Sequence, residues 1–152
     1  MKRVFAFALL AAIGAFSVAT AAVRDPIEGA WSFKTGAFDN GCVLTGQLMV
    51  MPKKGGVYSC QIKAREVCPA IKASGVEIAP KIDITADEVC VLTAQGNRVT
   101  IKSKVVRAPP QMPYLPDDFS LTIKDASHME GDFLSQEVLA RAVFYRGPDV
   151  IS

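Results

Sequence analysis

Between residues 30 and 145, apolar side chains recur at every second position, in short runs separated by Gly, Asn, Asp and Pro. A period of two is that of a strand with one face buried, and no long stretch carries the 3.6-residue period of an amphipathic helix. Strands are expected over 30–34, 42–51, 57–64, 76–78, 82–84, 88–94, 98–107, 119–124, 129–133 and 139–145. Pro52-Lys53-Lys54-Gly55-Gly56 and Gln95-Gly96-Asn97 have turn chemistry and imply hairpins. A helical turn is expected over 65–72, kept short by Pro69. Close spacing of short strands predicts an all-β fold: one antiparallel β-barrel or strongly curved sheet of about seven or eight strands.

The first residues belong to a different class. Met1-Lys2-Arg3 is a positive start, 4–18 is apolar apart from Gly14 and Ser17, and Ala19-Thr20-Ala21 has the small-x-small form of a signal-peptidase site. The expected organisation is a cleaved leader over 1–21 and a single domain over 22–152, exported to the periplasm or beyond, with no stable membrane insertion after cleavage. Loss of Lys2 and Arg3 takes the 17 basic residues to 15, against 15 acidic, so the mature chain is neutral. Neutrality argues against nucleic acid and anionic membrane surfaces, both of which select a basic excess.

The four cysteines, Cys42, Cys60, Cys68 and Cys90, all lie in the mature part. In an exported chain an even number reads as two disulfides, and their spacing contains no close pair of the kind zinc requires. The first hairpin selects the pairing. With its turn centred near Lys54, Leu48 faces Cys60 and Cys42 faces Glu66. Cys42 and Cys60 are then six positions out of register, roughly 20 Å at about 3.3 Å per residue, whereas bridged Cα atoms lie about 4.4–6.8 Å apart. The expected bridges are Cys42–Cys68 and Cys60–Cys90.

Candidate chemistry is sparse. Ser127, His128 and Asp125 are near neighbours on one expected turn, a poor arrangement for a triad, and no G-x-S-x-G elbow is present. The acidic pairs Asp117-Asp118 and Asp87-Glu88 lie near strand starts and read as solvated turns. No phosphate loop, calcium loop or metal-ligand helix appears, so no catalytic residue, metal or cofactor is expected. The proline-rich segment 108–118 is the most unusual stretch. Met112, Tyr114 and Leu115 within it are candidates for a binding loop or a lid, or for a crossover packed on the barrel.

Gly29-Ala30-Trp31 resembles the G-x-W signature that opens the first strand of lipocalin-like (calycin) barrels. That resemblance implies that Trp31 plugs the closed end and that an arginine late in the last strand, Arg146 or else Arg141, packs over it. The chain is also similar to bacterial periplasmic inhibitors of secreted metalloproteases, small barrels that begin with G-x-W and insert an N-terminal tail into the protease, here 22–26. The function expected is a non-catalytic exported binding module. It would hold a small apolar ligand in the barrel or a protein partner through its loops, with protease inhibition as the alternative and hydrolysis third. Protein recovered after export should begin at Ala22 by intact mass; a mass that retains residues 1–21 would remove the export argument.

Overall fold

A computed structural model describes residues 25–110 and 113–147. The expected leader and Met112 lie outside the described residues. The strands are β1 (Gly29–Thr35), β2 (Val43–Val50), β3 (Tyr58–Cys68), β4 (Ile71–Ala73), β5 (Val76–Ala79), β6 (Ile82–Gln95), β7 (Arg98–Arg107), β8 (Asp118–Asp125), β9 (His128–Ser135) and β10 (Val138–Arg146). Eight of them form a closed barrel in the order β1, β10, β9, β8, β7, β6, β3, β2, and β2 pairs back onto β1. The sheet therefore has no free edge, which removes the main aggregation hazard of a strand-rich chain. β4 and β5 make a separate two-stranded hairpin between β3 and β6.

Three expectations need correction. The segment 65–72 has no helical turn: Arg65 to Cys68 continue β3, paired to β2 and β6 on either side, and Ile71 opens β4. Backbone pairing on both flanks outweighs a weak local helical preference. The separate strands expected at 82–84 and 88–94 are one strand, β6. The first hairpin is also shifted by two residues, since Leu48 faces Ile62 and Val50 faces Cys60. Its chain reversal lies at Gly55-Gly56, both at positive φ, where glycine carries no steric penalty. This register brings Cys42 beside Cys68 and sets Cys60 opposite Cys90, and both expected disulfides are present. Each loop they close would contribute about 2–4 kcal/mol.

Alternate residues of every barrel strand share one interior. Trp31, Phe33, Leu48, Ile62, Leu92, Ile101, Phe119, Met129 and Phe144 are all essentially inaccessible. Phe33 stacks on Phe144 at 5.0 Å and meets Phe119 edge-on at 5.3 Å, so three rings close the middle of the barrel. Gly46 makes this possible: a Cβ there would stand 2.5 Å from Phe33 Cζ. Burying each large side chain contributes about 1.5–3 kcal/mol.

One end, the floor, is sealed. Trp31 Nε1 donates to Ile27 O at 2.9 Å, and Tyr58 Oη donates to Asp25 at 2.6 Å, so the approach to β1 is tied across the barrel bottom. Arg146 lies 4.4 Å from the Trp31 ring centroid. It donates to Glu28 O at 2.7 Å, to Ala126 O at 2.8 Å, and to Pro26 O. Gly29 has φ 106°, and a Cβ on it would stand 3.3 Å from Arg146 Nη1. The G-x-W spacing thus leaves room for a guanidinium that gathers three carbonyls over an indole. Arg141 instead pairs with Asp132 on the outer wall at 2.9 Å. Arg146→Ala should lower unfolding free energy by about 2 kcal/mol in urea titrations. Arg146→Lys should recover less than half, because one ammonium cannot span the three acceptors; full recovery by lysine would show that charge alone suffices.

Candidate functional site

At the other end, the mouth, residues 36–42, 108–110, 113–117 and 135–138 surround the barrel rim. Inward positions here carry carboxyls. Glu66 continues the inward row of Ile62 and Ala64, Glu88 that of Cys90 and Leu92, and Asp117 that of Phe119 and Leu121. Glu88 is 1 % exposed and Asp117 is 3 % exposed, which corrects the expectation that both acidic pairs are solvated. Adjacent strand residues point to opposite faces. Asp118 and Asp87 accordingly face out, to Lys102 and Arg107, and their neighbours face in.

These groups are wired to the proline loop. Tyr114 Oη donates to Asp117 Oδ2 at 2.8 Å, and the Asp117 amide donates to Glu88 Oε2 at 3.3 Å. Glu88 Oε1 and Ser103 Oγ are buried with no partner in hydrogen-bond geometry among the described residues. Loss of water pushes the Asp117 carboxyl up to about 8, and the neighbouring Glu88 charge adds to it. Glu88 is raised by burial as well, opposed by its contacts with Ser103 and Asp117. Two buried carboxyls in contact cannot both ionise cheaply, so the pair titrates jointly and retains a proton near neutrality. Burial raises Tyr114 first, and the Asp117 charge second. Half-buried Glu66 is raised by desolvation alone. It lies 3.6 Å from Cys68 Sγ, but that sulfur is bonded to Cys42, so the cluster Cys42–Glu66–Cys68 offers no thiolate to a metal.

Above this layer is a cavity of about 400 Å³, open to solvent on one side. Phe38, Tyr114, Leu115, Phe133 and Val138 supply apolar walls, and Phe38 stacks on Phe133 at 5.3 Å. Glu66, Asp117 and Glu137 supply carboxyl groups. Tyr114 packs against the core while Leu115 stays exposed, so the proline segment is at once a packed crossover and one wall of the cavity. Another depression, about 410 Å³, lies on the outer wall around Met49 and Gln61. It contains no buried ionisable group, and the mouth is the better-equipped site.

No protein-family profile matches the chain, and no curated protein sequence matches it. Solved structures do share its fold. A de novo designed fluorescence-activating β-barrel superposes with TM-score 0.56 at 11 % identity, over 80 % of this chain and 94 % of that one. A redesigned barrel, mFAP0, solved bound to DFHBI, gives 0.56 at 9 % identity, over 80 % of this chain and 100 % of that one. A further redesigned barrel gives 0.54 at 13 % identity, over 81 % and 93 %. At such identities the likeness is one of fold.

The triad candidates stay apart from the mouth. Ser127, His128 and Asp125 sit at the floor end, where Ser127 Oγ donates to Asp125 at 2.8 Å and His128 stacks on Tyr145 at 4.8 Å. Reading the sequence missed Glu66, Glu88 and Asp117 as a group. The available signal was their phase: each falls on the buried parity of its strand.

The proton held by the Asp117–Glu88 pair has a thermodynamic consequence. The folded protein binds a proton that the unfolded chain releases near pH 4, so stability falls as pH rises from about 5 through 8. The slope should reach at most about 1.4 kcal/mol per pH unit. Carboxyls lowered by their partners, such as Asp83 beside Arg65, act in the opposite sense below this window. Asp117→Asn should flatten the fall in denaturant-midpoint measurements across pH 5–9; an unchanged slope would place the proton elsewhere.

Proposed function

We propose that this protein is an exported, non-catalytic binding module of the lipocalin-like barrel type, acting in the periplasm or outside the cell. Its ligand would be small and would sit at the mouth rather than in the middle of the barrel, which Phe33, Phe119 and Phe144 fill. The observation that carries this reading is the mouth cavity of about 400 Å³, walled by Phe38, Tyr114 and Phe133 above a floor of buried carboxyls. Ligand sites are typically concave and mostly apolar, with a few convergent polar groups and perturbed ionisations. The comparison with mFAP0, a barrel of similar fold solved with a small molecule, is consistent with such use. The two disulfides favour an oxidising compartment, in line with the leader-like N-terminus.

A protein partner held by the mouth loops is less favoured, because the buried carboxyls lie beneath a cavity of small-molecule size. The protease-inhibitor reading would use the tail 22–26, and Asp25 is already engaged by Tyr58 at the floor. Native mass spectrometry of protein purified from its own source should show an additional small mass that is lost on denaturation. Val138→Trp, which fills the mouth, should abolish that mass with the fold intact. Observation of the bare polypeptide alone would contradict the ligand reading.

A further inference from the structure

We propose that the mouth takes a protonated amine carried on a small aromatic or aliphatic body. This deepens, and rests on, the reading of the mouth as a ligand site. Three of the cavity's side chains are acids from three separate segments: Glu66 of β3, Asp117 beside β8, and Glu137 of the β9–β10 turn. None of the described residues lining it is basic. An anionic ligand would meet carboxylates with no counter-charge, whereas a cation supplies the missing one. Behind Asp117, Glu88 adds a fourth carboxyl, 1 % exposed and in contact with Asp117 and Ser103.

The walls agree with the charge. Phe38, Tyr114 and Phe133 line the same space, and aromatic faces attract an ammonium through their quadrupole while burying the body attached to it. An inorganic cation fits less well. Calcium and magnesium need six or more oxygens converging on one point. Among the described residues, the only group of three or more His, Cys, Asp or Glu side chains close enough to share an ion is Cys42, Glu66 and Cys68, two of which form a disulfide. The carboxyls of the mouth are instead spread around the cavity, which suits several contacts along an organic ammonium.

Three probes with one phenylethyl-type body separate the possibilities: 2-phenylethylamine, 2-phenylethanol and phenylacetate, titrated into the ¹⁵N-labelled exported protein and followed by amide shifts. The amine should bind about tenfold or more tighter than the alcohol, phenylacetate should be weakest, and the shifts should gather at Phe38, Asp117 and Ser135–Val138. Asp117→Asn and Glu66→Gln should each weaken the amine about tenfold and leave the alcohol within about twofold. Glu66→Gln is remote from the buried pair and keeps the test sound should Asp117→Asn alter the loop. Alcohol or phenylacetate binding at the mouth as tightly as the amine would overturn the cation preference and leave the site standing. Failure of all three to give saturable shifts at the mouth by about 10 mM, where weak fragments still bind, would overturn both.

Discussion

Closure gives every barrel strand one common interior, and that single constraint governs the rest of the molecule. Once β2 pairs back to β1, each strand's inward row has a fixed parity, and a shift of one residue would turn an entire row outward. Cys60 faces Cys90 within this frame, Phe33 reaches Phe119 and Phe144, and Glu88 comes to stand beneath Asp117. The disulfides reinforce the frame on the β2–β3–β6 side, but the parity itself comes from the apolar pattern.

The two ends use that interior in opposite ways. At the floor the groups around the Trp31 plug are answered: Arg146 meets three carbonyls, Trp31 Nε1 meets Ile27 O, and the Tyr58 hydroxyl meets Asp25, while farther out His128 Nε2 has no hydrogen-bond partner among the described residues. The approach to β1 is thereby fastened and the barrel bottom is shut. At the mouth the polar groups exceed their partners. Glu88 and Asp117 are buried together, two acids in one dry layer, and the cavity above them opens to solvent. Unmet buried polarity costs stability, and sites where it persists are commonly functional. The filled aromatic middle separates the sealed end from the end that holds the cavity, as in a cup with a thick base.

Much of this was legible in the residues. The alternation identifies the barrel strands, and hairpin register plus strand rise selects Cys42–Cys68 and Cys60–Cys90 even with the turn misplaced by two residues, because the rejected pair misses by far more than that. Gly29, Trp31 and Arg146 were legible through the resemblance to lipocalin-like barrels, and the structure supplies a steric reason for the spacing: room for a guanidinium over an indole. Two things were not. Residues 65–68 have no decisive local signal, and they become strand only because β2 and β6 offer hydrogen bonds on both sides. The acidic pairs misled through composition, since acids near strand ends are usually solvated. Strand geometry requires that one member of each pair point inward, and the identity of that member follows from Cys90 and Phe119, the apolar residues in phase with it. The cavity itself comes from loops whose path no periodicity encodes.

Central to the account is a protonated carboxyl held in a dry layer beneath an open cavity. Site-resolved ¹³C titration of the Asp117 and Glu88 carboxyl carbons measures it directly. At least one of the two should titrate with a midpoint well above the usual carboxylate range, and the two curves should be visibly coupled. Independent midpoints near about 4 for both, the values of solvated carboxyls, would contradict the buried layer and the site built on it.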